Sequence, residues 1–100
     1  MKIIAVNISQ TISTQTILDA TKRAWVLVLS KCAEYDYVIS VSKGVIEGFL
    51  KKTAEHPDSF QPDRVDFDLL PCTPQQIQQI KDYINVNKIN LKFISTKYID

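Results

Sequence analysis

The run Lys22-Arg23-Ala24-Trp25 is the stretch of this sequence best suited to binding a ligand. Cationic side chains bind phosphate, and an indole face stacks on a nucleic-acid base, so the run supplies the two contacts that hold a nucleic-acid strand. Lys43 is expected to extend this basic patch. The alternative is structural: the tryptophan fills the core of a small domain while the lysines keep the surface soluble.

Two acidic residues, Asp66 and Asp68, occupy alternate positions of one predicted strand and therefore share a face. Paired carboxylates can hold a divalent metal ion, but a nuclease also needs a third carboxylate and a lysine that converge on it. Glu47 and Lys51 are available, yet nothing in the sequence aligns them with the pair. Arg64 lies nearby, which favours a surface salt-bridge ladder. We therefore predict no metal site.

The other reactive residues lack partners in the sequence. His56, the only histidine, lies just before Pro57 in a predicted loop and is expected to be solvent-exposed. Cys72 precedes a predicted helix, where a thiol can be acidified, but no base stands near it. Gly44 and Gly48 are the only glycines, so a glycine-rich phosphate loop is excluded. We predict that the chain is not an enzyme and uses no cofactor.

Length and composition indicate one ordinary globular domain, residues 1–100. The chain is 45% hydrophobic and 23% charged with a net charge of +1, which points to neither a strongly acidic nor a strongly basic partner. Cys32 and Cys72 are forty residues apart without a Cys-x-x-Cys motif, so free thiols in a reducing compartment are favoured over a disulfide. No apolar run reaches the ~20 residues of a membrane span. We expect a cytoplasmic protein.

The clearest structural signal is a β-hairpin over Tyr37–Leu50, closed by the two residues Lys43-Gly44. This turn pairs Ser42 with Val45 and predicts Ile39 opposite Gly48. One face is expected to be core, and the other to be half covered or to bind a partner. The core face comprises Tyr37, Ile39, Val41, Ile46, Gly48 and Leu50, and the second face comprises Val38, Ser40, Ser42, Val45, Glu47 and Phe49.

The best-marked helix begins at Thr73, where Thr73 as N-cap and Gln76 three residues later form a capping box around Pro74. Asn85 and Asn87 are expected to end it in the left-handed conformation. Apolar and polar periodicity predicts the remaining elements. These are strands over Lys2–Ile8, Ala24–Leu29, Asp63–Leu70 and Leu91–Ser95, helices over Thr14–Lys22 (N-cap Ser13, after a polar turn over Gln10–Ser13) and Pro74–Ile84, a helical turn over Lys31–Glu34, and a long loop over Lys51–Pro62.

The runs Asp19–Trp25, Tyr37–Val41 and Gly44–Phe49 resemble a small, largely uncharacterised bacterial and phage family. Its members follow a basic-x-Trp stretch with a V-x-x-V-x-x-G-I-x-x-V/F hairpin. The later parts Val65–Phe67, Pro74–Tyr83 and Tyr98-Ile99 are also similar to that family. The hairpin is similar to those of PUA-like modules, small α+β pseudo-barrels, and this resemblance implies binding of RNA or modified bases.

Together these patterns predict a single α+β domain with two helices and a mixed or mostly antiparallel sheet of five or six strands, or a pseudo-barrel. We expect a non-catalytic binding module for nucleic acid or a nucleotide-like ligand, with Lys22, Arg23, Trp25 and Lys43 as the ligand-binding residues. Lys51-Lys52 is expected to extend the patch.

The alternative function is that of a phage or mobile-element protein that binds or inhibits a host factor. A half-apolar outer hairpin face with Val38, Val45 and Phe49 would suit such a partner.

Overall fold

The computed structural model describes residues 1–10 and 15–100. These residues form five strands and three helices. In chain order they are β1 (Ile3–Asn7), α1 (Ile17–Lys22), α2 (Leu29–Cys32), β2 (Tyr37–Ser42), β3 (Val45–Pro57), β4 (Val65–Pro71), α3 (Pro74–Val86) and β5 (Thr96–Ile99).

The strands form one open sheet in the order β4-β3-β2-β1-β5. β1 and β2 run parallel because α1 and α2 connect them, and the other neighbouring strands are antiparallel. Buried residues of α1 and α2 join the core on one face of the sheet, and α3 joins the core on the other. The predicted α+β class with a five-stranded mixed sheet is confirmed.

β1 is apolar from Ile3 to Val6, where both of its faces are covered. Ile4 and Val6 lie in the core beneath α1, whereas Ile3 and Ala5 lie in the core beneath α3. All four side chains are fully buried. A strand that is buried on both faces favours apolar residues at successive positions, so its sequence does not alternate apolar with polar residues.

The hairpin turn is confirmed, but its register shifts farther along. Lys43 and Gly44 have φ angles of 52° and 79°, which matches the right-handed twist of the strands. Ser42 pairs with Val45, as predicted, and a β-bulge follows between Ser40 and Val41. Ser40 therefore pairs with Gly48, and the predicted pairing of Ile39 with Gly48 is wrong.

The bulge also changes which residues share a face. Phe49 packs with the core beneath α3, while Gly48 lies against Ile17 of α1. Val38 is fully buried in the core beneath α1. Val38, Val45 and Phe49 therefore do not form one outer face: Val38 is buried beneath α1, Phe49 packs on the α3 side, and Val45 is exposed.

α3 begins with the predicted capping box: Thr73 Oγ1 accepts from the Gln76 N–H and the Gln76 side chain accepts from the Thr73 N–H. The left-handed residue after it is Lys88, with φ 51°, and not an asparagine. α1 has Thr16 as its N-cap. The expected N-cap Ser13 and most of the polar turn over Gln10–Ser13 lie outside the described residues. No helix among residues 1–10 and 15–100 is long and apolar enough to cross a membrane.

Three predicted boundaries are wrong, each for a tertiary reason. Ala24–Leu29 is not a strand: Ala24 has φ 66°, and Trp25 is its one residue in a β-bridge, to Val65. β3 continues to Pro57 through the predicted loop, because Ala54–Pro57 pairs with Val65–Asp68 of β4. The last strand follows Leu91–Ser95 rather than spanning it, because Thr96–Ile99 pairs with β1.

Candidate ligand-binding site

A cavity of about 590 Å³ opens where β1 ends, and we call it the Arg23–Trp25 cavity. It lies at the carboxyl end of a parallel strand pair, the position at which α/β sheets commonly bind ligands. Its size is within the range of small-molecule sites. The lining residues come from the end of β1, from α1 and the segment after it, and from the approach to β5: Asn7, Ser9, Gln10, Gln15, Asp19, Ala20, Arg23, Ala24, Trp25, Ile94 and Ser95.

Arg23 is held in place by a buried carboxylate. Its Nε and Nη2 donate to the Asp58 carboxylate oxygens at 3.0 and 3.2 Å, and the Asp58 side chain is fully buried. The backbone N–H groups of Phe60 and Gln61 donate to the same carboxylate. The guanidinium also lies 5.1 Å from the centre of the Phe60 ring. Nη1 has no hydrogen-bond partner among the described residues, so Arg23 is oriented yet can still donate to a ligand.

A second carboxyl, Asp66, lies beside Asp58 and accepts from the Ala24 N–H at 2.8 Å. Burial and the hydrogen bond to Asp58 raise the pKa of Asp66. For Asp58, burial acts upward, but hydrogen bonds from Asp66, from the Gln61 and Phe60 amides and from Arg23 outweigh it and lower its pKa to about 2. The Arg23 guanidinium therefore faces a carboxylate that stays ionised at neutral pH.

Trp25 contributes both to the core and to the wall of the cavity. Its ring packs against the core beneath α1 and is half-buried, and it also lines the cavity. The indole Nε1 donates to the Thr21 carbonyl at 2.6 Å. The backbone N–H and carbonyl of Trp25 both bond to Val65. With its polar atoms already bonded, the ring offers a ligand an apolar surface.

The predicted binding residues are only partly brought together. Arg23 and Trp25 line the same cavity, and Lys43 lines a neighbouring cavity that we call the Lys43–Lys92 cavity. Lys22 is exposed at the end of α1 and lines neither cavity. The expected extension through Lys51-Lys52 is wrong: neither residue lines either cavity, and the Lys52 ammonium bonds Glu55 at 2.7 Å.

The residues considered for catalysis have separate structural partners. Asp66 bonds Ala24, whereas Asp68 bonds His56 Nε2 at 3.2 Å. That hydrogen bond raises the pKa of His56, which lies exposed on β3 and not in a loop. No group of three or more histidine, cysteine or acidic side chains is placed to hold a metal ion within residues 1–10 and 15–100.

Both cysteines are free and buried. Burial is the main reason that the pKa of each thiol is raised, so neither is favoured as a thiolate nucleophile. At Cys72, the effect of burial outweighs the lowering of the thiol pKa that was considered for a position just before α3.

Sequence reasoning missed several residues of the site. Asp58 was not singled out, although an aspartate side chain in a loop often accepts hydrogen bonds from the backbone N–H groups that follow it, as Asp58 does from Phe60 and Gln61. Asn7 had a weak signal, since a polar residue ends an otherwise apolar strand. Ile94, which is 96% exposed at the cavity, and Lys92 had none.

Comparisons of this chain with protein-family models, with curated proteins and with solved structures gave no match. The resemblance to a bacterial and phage family, drawn from the basic-x-Trp stretch and the hairpin, therefore stays a prediction. The proposal for a function rests on the residues that line the two cavities.

Proposed function

We propose that this chain is a non-catalytic binding module, and that a nucleotide-like ligand, free or within a nucleic-acid strand, occupies the Arg23–Trp25 cavity. The observation that supports this most directly is that Arg23 and Trp25 line one cavity of nucleotide-compatible size. A free or strand-borne nucleotide would meet such a site in the cytoplasm, where we expect the protein to reside.

The chemistry of the lining matches a phosphate joined to an aromatic base. Arg23 keeps Nη1 free to donate, and its guanidinium is held in position by Asp58. This preorientation reduces the conformational entropy that Arg23 loses when it binds a phosphate. The Trp25 ring supplies a stacking surface. Gln10 and Gln15 add amide groups that can both donate to and accept from a base edge.

Asp19 provides a test that leaves the core intact. Its exposed carboxylate lines the cavity and repels an anionic ligand. We expect Asp19→Asn to tighten binding of the four ribonucleoside 5′-monophosphates by about threefold to tenfold, as isothermal calorimetry measures it. Asp36→Asn, an equal charge change on an exposed residue that does not line the cavity, is the control. Equal affinity in all three proteins would contradict a phosphate site here.

Loss of function is tested by removing Arg23 and Trp25. Arg23→Ala alone leaves the buried Asp58 without its counter-ion, so Arg23→Gln is combined with Asp58→Asn, and Trp25→Ala is made separately. Each variant is expected to lose about tenfold or more in nucleotide affinity. Thermal unfolding of each variant shows that it is folded. Unchanged affinity in folded variants would assign the nucleotide to another site.

A second candidate function is binding of a protein partner, such as a host factor that a phage or mobile-element protein inhibits. Val26 and Val28 favour it, because they are about 60% exposed and alternate on the outer side of the segment that follows Trp25. Apolar contact of this kind is insensitive to salt, whereas phosphate binding weakens as salt rises.

A further inference from the structure

The Lys43–Lys92 cavity, of about 380 Å³, adjoins the Arg23–Trp25 cavity. The two share Asn7 and Ser9 as lining residues, so they meet at the end of β1. The smaller cavity is lined on its other sides by the hairpin tip and the segment before β5. The two cavities therefore adjoin at the carboxyl ends of β1 and β2, and we call the two together the groove.

The shared wall is fixed by hydrogen bonds. Asn7 Oδ1 accepts from the Ser9 N–H and hydroxyl at 3.0 and 2.6 Å, and Asn7 Nδ2 donates to the carbonyls of Phe93 and Ile94. Ser9 Oγ in turn accepts from the Lys43 N–H at 3.3 Å. This network connects β1, the hairpin tip and the segment before β5, so the two cavities keep their relative positions.

The smaller cavity carries two cations without counter-ions. No carboxylate among the described residues pairs with the ammonium group of Lys43 or of Lys92. The Lys92 stem lies so close to Gly44 that an added Cβ there would be 3.4 Å from Lys92 Cγ. The two exposed lysines thus line one cavity, and their unpaired positive charges favour an anion there.

We propose that the groove has two adjacent nucleotide subsites, so that its ligand is two nucleotides joined by a phosphodiester. The first nucleotide occupies the Arg23–Trp25 cavity, and a phosphate of the second lies between Lys43 and Lys92. This inference rests on the proposed function. A free dinucleotide and the end of a single strand share this chemistry.

The test compares ligands of different length. The protein is titrated with ribonucleoside 5′-monophosphates, 5′-phosphorylated homodinucleotides and homo-octamers, each in all four bases. Trp25 is the only tryptophan, so its emission reports on the first subsite, and calorimetry confirms the affinities. We expect each preferred dinucleotide to bind at least about tenfold more tightly than its monophosphate.

Matched variants separate the subsites. Lys43→Asn with Lys92→Gln keeps a residue suited to the left-handed turn and removes both cations. It is expected to abolish the tenfold gain of the dinucleotide over the monophosphate. Lys81→Gln with Lys88→Asn makes the same charge change beside α3, again with asparagine at the left-handed position, in a separate cavity, and should keep the gain.

The outcomes distinguish this inference from the proposed function. If a monophosphate binds but its dinucleotide binds no more tightly, or if the control variant loses the gain equally, the second subsite is overturned and the proposed function remains. If no nucleotide binds, both are overturned. An octamer that binds as well as the dinucleotide identifies a strand end as the ligand, and an octamer that fails to bind identifies a free dinucleotide; either result requires two subsites.

Discussion

At the scale of single residues, Arg23 contributes to both folding and the candidate site. Its guanidinium neutralises the buried Asp58, which also receives two backbone N–H groups of its own loop. This contact fastens the loop between β3 and β4 to the segment after α1. The position of Arg23 in the cavity is therefore set by the same ion pair that closes the loop, and substitutions at Asp58 affect both.

The pKa values of Asp58 and Asp66 are shifted in opposite directions, which predicts opposite effects of pH on their contributions to stability. The pKa of Asp58 is lowered from 3.8 to about 2, so the contribution of this carboxylate to stability is present above about pH 4 and is lost as the pH falls toward 2. The pKa of Asp66 is raised, so its contribution is present at low pH and declines as the pH rises through that pKa. Asp58→Asn should therefore lower the thermal midpoint clearly near pH 7 and less near pH 2.

Asp66→Asn is the matched variant for this prediction. The amide still accepts from the Ala24 N–H, and it can donate to Asp58 without carrying a charge. We expect the thermal midpoint of this variant near pH 7 to equal or exceed that of the unmodified chain, as differential scanning calorimetry measures it. A fall as large as that of Asp58→Asn would show that the two carboxyls act alike, contrary to the assignment.

At the scale of elements, the β2–β3 hairpin fixes the geometry of the groove. Its two-residue turn carries Lys43, and its bulge brings Gly48 opposite Ser40 beneath α1. The absence of a side chain at Gly48 is what allows Ile17 to pack against the sheet. α1 then supplies Asp19 and Ala20 to the cavity. A strand irregularity thus decides how closely the helix that lines the site approaches the sheet.

Gly48→Ala tests this close approach. An added Cβ would lie 2.4 Å from Ser40 Oγ and 2.9 Å from Ile17 Cγ2, so we expect a loss of about 1–3 kcal/mol in the free energy of unfolding, measured by urea denaturation. Adding Ser40→Ala removes one of the two clashes and should restore part of that loss. If Gly48→Ala is neutral, or if Ser40→Ala brings no recovery, the close packing described here is wrong.

At the scale of the whole molecule, the net charge of +1 means that long-range steering of anions is weak. Two cations without counter-ions, Lys43 and Lys92, instead lie at one end of the sheet, where they line the groove together with Arg23. Affinity for nucleotides should therefore come from contacts inside the groove. The salt dependence of nucleotide affinity then reports how many phosphate contacts are made inside the groove.

A prediction for the salt dependence of binding follows from the proposal that the groove binds two phosphates. We expect dinucleotide affinity to fall about sevenfold between roughly 50 and 200 mM monovalent salt, with a slope near −0.7 for each phosphate contacted. The variant lacking the cations of Lys43 and Lys92 should show about half that slope. Fluorescence titration across this range measures it. A ligand whose affinity is unchanged by salt would instead favour the protein-partner function through Val26 and Val28.

Parts of this protein were determined by sequence alone, because neighbouring residues specify them. Thr73, Pro74 and Gln76 satisfy the first turn of α3 by themselves, and Lys43-Gly44 suits the left-handed φ angles of its turn. The alternation of apolar and polar residues likewise predicts strand β4, since side chains on a strand alternate between its faces. The pairing of Arg23 with Trp25 as a candidate site was available for the same reason: two residues apart, they remain close in any fold.

Other parts were decided only by the tertiary structure. The bulge in β3, the extension of that strand to Pro57 and the loss of a strand at Ala24–Leu29 each depend on what packs against them from distant positions. Within the site, Asp58 reaches Arg23 across 35 residues, and Lys92 joins Lys43 only where β5 returns beside β1. Local patterns specify backbone conformation, whereas a cavity is formed by residues that become neighbours only when the sheet is assembled.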